Sequence, residues 1–169
     1  MAVSHRSMDT RIPLLLLENS SPCLADWLTS LSLWPRCSEL VLITDDANLG
    51  STLKRDWRSS VVAPLLSTHT DSDCLCCGLR SELGDQLRRL FLQALADRTK
   101  RTSAVLLISR LTNPEAVKLM LKHVPFLAQR YRFIGYFGMD VEPLNSNRLN
   151  VLGYPSPQGL EELLGNKLH

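Results

Sequence analysis

The chain has 169 residues, 44% of them hydrophobic and 21% charged, with a formal net charge of +2. That length suits one domain able to bury roughly 70% of its unfolded surface, and so small a charge without a long basic run argues against nucleic acid as a general partner. No apolar run reaches the ~18 residues of a membrane span, and Ile12–Leu17 is too short for a secretory signal core, so a cytosolic protein with no membrane partner is expected.

In chain order, residues 1–10 are polar and read as a flexible N-terminus, and 11–169 as a single domain. Ile12–Leu17, IPLLLL, is apolar throughout and predicts a buried strand. Ser21 and Pro22 open a helix carrying Leu24, Trp27, Leu28 and Leu31 at helical spacing. Residues 38–44, SELVLIT, predict a second buried strand, and DDANLG after it reads as a turn. Residues 51–58 are ambiguous. VVAPLLS (61–67) predicts a third strand, with Pro64 placing it at an edge or bulge. A cysteine-rich loop follows.

From Leu79, the residues Leu83, Leu87, Leu90, Phe91, Ala94 and Leu95 form one apolar helical stripe. The basic residues Arg88, Arg89, Arg98, Lys100 and Arg101 read as a solvated face. SAVLLIS (103–109) predicts a strand, and Asn113 with Pro114 opens one helix running to about Gln129. Residues 131–141 and 148–153 predict two more strands, and Ser156–Pro157 caps a last helix stopped by Gly165. Trp27 and Trp34 read as packing residues, and His123 as structural or solvated. Alternating apolar strands and helices predict a three-layer α/β domain with a mostly parallel sheet and helices on both faces. Ligands of such sheets bind at the carboxyl ends of the strands.

Five cysteines, Cys23, Cys37, Cys74, Cys76 and Cys77, are too odd a number for a disulfide framework. Cys23 and Cys37, each alone, read as small buried apolar residues. The other three fall in DCLCCGLRSEL, where three local thiols invite three readings: core packing, redox chemistry, or a metal site. Thiolates are soft ligands for zinc or copper(I). A structural zinc site uses two separated ligand pairs; three thiols in one loop favour an open, exchangeable site. His69, Asp73 or a partner's residue would supply a fourth ligand, and the start of the following helix would favour thiolates.

This stretch resembles the signature of the CobW family of GTP-dependent metallochaperones. The family's C-x-C-C-x-x-R-x-D-L stands here as Cys74-Leu75-Cys76-Cys77-Gly78-Leu79-Arg80-Ser81-Glu82-Leu83, with Glu82 for Asp. Its later strand and G-L-x-D-P have a counterpart in AVLLIS and Arg110-Leu111-Thr112-Asn113-Pro114. The resemblance spans roughly residues 11–142. It implies a P-loop NTPase-like fold, zinc held by Cys74, Cys76 and Cys77 with His69 as a further candidate, and a role in metal handling with a family GTPase or a metalloprotein client as partner.

The departures are as informative. A phosphate loop needs glycines, a lysine and a magnesium-binding hydroxyl. The aligned segment ENSSPCLADW has no Gly or Lys; Leu24 stands at the lysine position and Ala25 at the magnesium-ligand position. The family's Glu before G-L-x-D-P is also missing at Leu107–Arg110. The expectation is a zinc-binding pseudo-GTPase that is not itself an enzyme. A module pairing with a full-length family GTPase, and a GTPase with an atypical phosphate loop, are the alternatives.

Overall fold

Pro13 to Leu17 form an unbroken run of buried positions inside the first strand, so the chain must supply cover on both sides of it. The computed structural model describes residues 9–19, 24–52, 57–62, 82–110, 113–137 and 154–164. In it five strands, β1 (Ile12–Glu18), β2 (Leu40–Thr44), β3 (Arg58–Val61), β4 (Ala104–Ser109) and β5 (Tyr131–Phe137), make one sheet in the order β3-β2-β4-β1-β5. Every pairing is parallel. The helices are α1 (Leu24–Ser32), α2 (Ala47–Thr52), α3 (Glu82–Ala96), α4 (Pro114–His123), α5 (Pro125–Arg130) and α6 (Pro157–Leu163), with a 3₁₀ turn at Cys37–Glu39.

Because strand side chains alternate, the leucine run of β1 splits between two cores. Leu14 and Leu16 face Leu83, Leu87 and Leu90 of α3 together with Val117, Met120 and Leu121 of α4. Leu15 and Leu17 face Leu24, Trp27, Leu28 and Leu31 of α1, with Tyr154 and Leu160 of the last segment. The sheet therefore has helices on both faces. No helix among the described residues is long and apolar enough to cross a membrane.

Several elements differ from the sequence reading. The third strand is Arg58–Val61, earlier than the expected 61–67; Val62 has left the strand, its amide bonding the Thr44 carbonyl at 2.9 Å. Residues 63–67 lie outside the described residues, as does the expected strand 148–153. The polar run RSS forms that strand because it is an edge, where only one ladder is needed. DDANLG is the start of α2 and not a turn: Asp46 Oδ1 accepts from the amides of Asn48 (2.9 Å) and Leu49 (3.3 Å). Aspartate serves turns and N-caps by the same side-chain chemistry, so its composition did not separate them. The single helix expected from Pro114 is two, α4 and α5, broken where Val124 adopts an extended conformation ahead of Pro125. Leu95, placed in the apolar stripe of α3, is 61% exposed. The start of α4 is as expected, with the Asn113 side chain accepting from the Glu115 amide at 2.8 Å.

The last segment is fastened by indole and phenol groups. Trp27 Nε1 donates to the Pro155 carbonyl (2.8 Å), Trp34 Nε1 to Glu161 Oε1 (3.0 Å), and the Tyr154 hydroxyl to the Glu18 carbonyl (2.7 Å). Both tryptophans are buried, at 3% and 7% exposed, so the packing role expected for them holds. His123 is exposed at the end of α4.

Candidate functional site

Adjacent strands β1 and β4 send their following helices to opposite faces: α1 covers one side and α4 the other. Such a divergence opens a crevice at the carboxyl ends, the usual ligand position in an open parallel sheet. The residues just past β1, β2 and β4 gather there: Asn19, Asp45 and Asp46, and Arg110.

They form a connected polar network. The Asn19 amide donates to the Ser109 carbonyl at 3.1 Å. Asn19 Nδ2 donates to Asp46 Oδ2 at 2.9 Å, and Arg110 Nε to the Asn19 carbonyl at 2.9 Å. The Ser109 hydroxyl donates to Asp45 Oδ2, and the Asp46 amide to Thr44 Oγ1 at 3.0 Å. Asn19, Thr44 and Ser109 are the buried polar residues of the described chain, at 8%, 0% and 3% exposed. Burial of such groups is tolerated because each is hydrogen-bonded. The network ties three strand ends together, its polar atoms engaged with one another.

Leu24, at the position the resemblance gives to the phosphate-loop lysine, is 3% exposed in the core beneath β1, and Ala25 faces outward. Asp45 and Asp46, read from sequence as turn residues, are instead a strand-tying pair. Asn19 was not singled out from sequence: it lies on this edge because β1 runs one residue past its apolar run, to Glu18. Arg110, which stands where the resembled G-L-x-D-P has its Gly, reaches the end of β1 through its bond to Asn19.

Cys23 lies outside the described residues, as do His69, Asp73, Cys74, Cys76 and Cys77. Residues 63–81, which carry the last five, connect Val62, just past the carboxyl end of β3, to α3. Among the described residues no group of three or more His, Cys, Asp or Glu side chains is placed to hold a metal ion. Cys37 is half-buried and packs against the α1 side of the sheet.

The amides of Leu49 and Asn48 and the Asn19 side chain hold the Asp46 carboxyl below its usual pKa, with the Arg110 charge adding to this and partial desolvation opposing it. Three other carboxyls are lowered too. Asp9 falls to about 2 through its hydrogen bonds with Arg11. For Glu39, desolvation is outweighed by hydrogen bonds from Arg36 and Ser103; Asp97 is held by Thr99. A folded-state pKa below the unfolded value of about 4 gives stability that is full above that pH and lost as pH falls through the folded value. The urea midpoint is therefore expected to drop steadily between about pH 5 and pH 2, and Asp46→Asn should reduce that drop. A midpoint unchanged from pH 5 to pH 3 would refute the assignment.

Comparison of the chain with protein-family models, with curated proteins and with solved structures gave no significant match in any of the three.

Proposed function

We propose that the chain is a metal-handling protein with a P-loop NTPase-like core of CobW type that binds zinc through Cys74, Cys76 and Cys77 and does not hydrolyse nucleotide. His69 is a candidate further ligand, and a metalloprotein or a family GTPase is the partner class. The zinc half of this reading rests on the C-x-C-C spacing, in a connection that begins on the carboxyl edge of the sheet. The pseudo-GTPase half is carried by one observation: the side chain aligned with the phosphate-loop lysine, Leu24, is 3% exposed within the core.

The experiment is a zinc titration against a competing chromophoric chelator, with thiol quantitation. One-to-one binding is expected, weakened at least a hundredfold in Cys76→Ser, because loss of one thiolate from an open site removes a soft ligand that water does not replace. Zinc found in protein purified without added metal would agree with it. Equal zinc affinity in wild type and Cys76→Ser would rule the metal reading out and leave the interaction module.

A further inference from the structure

All five strands start at one edge of the sheet, opposite the polar network, and α1 and α3 end there because each leads into one of them. Around the start of β4 this amino edge is basic. The loop of residues 97–103 carries Arg98, Lys100 and Arg101, all exposed. Arg58, the first residue of β3, is drawn to the same loop: its Nη1 donates to the Arg101 carbonyl at 3.0 Å and to Thr102 Oγ1 at 3.3 Å. Arg36, ahead of β2, donates to Ser103 Oγ at 2.7 Å.

Two carboxylates stand among these cations. Glu39 is paired with Arg36 at 2.8 Å and Asp97 with Lys100 at 3.5 Å. Arg58, Arg98 and Arg101 have no ion pair among the described residues, and the carboxyl end of α3 offers them only about half a negative charge. Apolar side chains are exposed on the same edge. Leu33, in the turn that closes α1 and three residues before Arg36, is 83% exposed. Leu95, in the last turn of α3 and three residues before Arg98, is 61% exposed. One exposed leucine is ordinary. Here two stand on helices from opposite faces of the sheet, and both helices end beside one basic loop.

We propose that this edge docks on a membrane surface rich in anionic phospholipid. The uncompensated arginines match the charged headgroups, and Leu33 and Leu95 enter the boundary between headgroups and acyl chains, as apolar residues beside basic ones do in interfacial segments. A nucleic acid would satisfy the arginines and leave the leucines in water. The small net charge of the chain hides this edge, because Asp26, Asp45, Asp46, Glu82 and Asp85 stand at the other one, at or just before the starts of α1, α2 and α3. The surface is separate from the carboxyl-edge network and from the cysteine segment.

The test is sedimentation of the full chain with vesicles of phosphatidylcholine, alone or with about 30% phosphatidylserine, in about 100 mM salt. With phosphatidylserine, half of the protein is expected to bind at about 1 mM accessible lipid or less, and none to phosphatidylcholine alone. Affinity should fall at least tenfold in the double variant Arg98→Gln, Arg101→Gln and at least threefold in Leu33→Ser, and binding should be lost in about 1 M salt. All three side chains are exposed, so both variants should fold. Equal binding to the two kinds of vesicle, undiminished binding in either variant, or no binding at about 5 mM lipid would each overturn the proposal. So would a mixed-sequence RNA that binds more tightly than the vesicles and equally well to Leu33→Ser, which would assign the arginines to nucleic acid.

Discussion

Replacing Trp27 with alanine is expected to lower the unfolding free energy by about 3–5 kcal/mol, the usual range for emptying a buried aromatic site. Three losses coincide. The indole, 3% exposed, leaves a cavity between α1 and the last segment. The Pro155 carbonyl loses its donor at 2.8 Å. Tyr154, whose ring centroid lies 5.3 Å from that of Trp27, loses a packing partner while its hydroxyl still reaches the end of β1. For a chain of this size the melting temperature should fall by roughly 6–20 °C. Trp27→Phe separates the terms: it keeps most of the packing, loses the donor, and should cost about 1–3 kcal/mol. Urea denaturation followed by far-ultraviolet circular dichroism measures both. A Trp27→Ala protein within 1 kcal/mol of wild type would mean that residues 154–164 do not pack on α1.

A fluorescent GTP analogue is expected to bind no more tightly than about 1 mM, roughly −4 kcal/mol, with or without magnesium. A triphosphate is met in a phosphate loop by aligned amides, a lysine and a magnesium ion. Here Leu24 is a core residue and Ala25 carries no hydroxyl. Asp26 adds a carboxylate to the first turn of α1, where a triphosphate would have to approach. Asp45 and Asp46 add two more past the end of β2, with β4 between that strand and β1. Against these stand one helix N-terminus, worth about 0.3–2 kcal/mol, and Arg110, whose Nε is held by Asn19. A magnesium-dependent constant below about 10 µM, competed by unlabelled GTP and lost in Arg110→Gln, would overturn the expectation and favour a GTPase with an atypical phosphate loop.

The layers of the fold were legible in the sequence because its strands are unusually explicit. A parallel strand covered on both faces is apolar along nearly its whole length, and IPLLLL, LVLIT and AVLLIS are, with only Thr44 and Ser109 polar at the carboxyl ends of the last two. β3 was misplaced for the converse reason: RSSV is an edge strand whose residues carry no apolar signature, while VVAPLLS beside it does. The strand order was not legible, since nothing in LVLIT or AVLLIS says which will lie beside β1. The carboxyl-edge network was not legible as one: Asp45 and Asp46 read as turn residues and Arg110 as part of a motif, and only the order of the strands brings residues 19, 46 and 110 together. The basic amino edge was half legible: Arg98, Lys100 and Arg101 fall together in the chain and read as a solvated face, but Arg36 and Arg58 join them only through the fold.

The strand order also governs how the protein is made. β1 pairs only with β4 and β5, and both follow residue 103. During synthesis at ~5–20 residues per second, the leucine run therefore waits several seconds or more with both backbone edges unpaired. β2 and β3 can pair early, but β2 also keeps its other edge open for β4. A nascent chain in this state offers a flat, uncharged, leucine-rich template to its neighbours on the polysome. Soluble yield should then depend on translation speed and holdase supply more than on the final unfolding free energy, and fall most when elongation slows between residues 62 and 104.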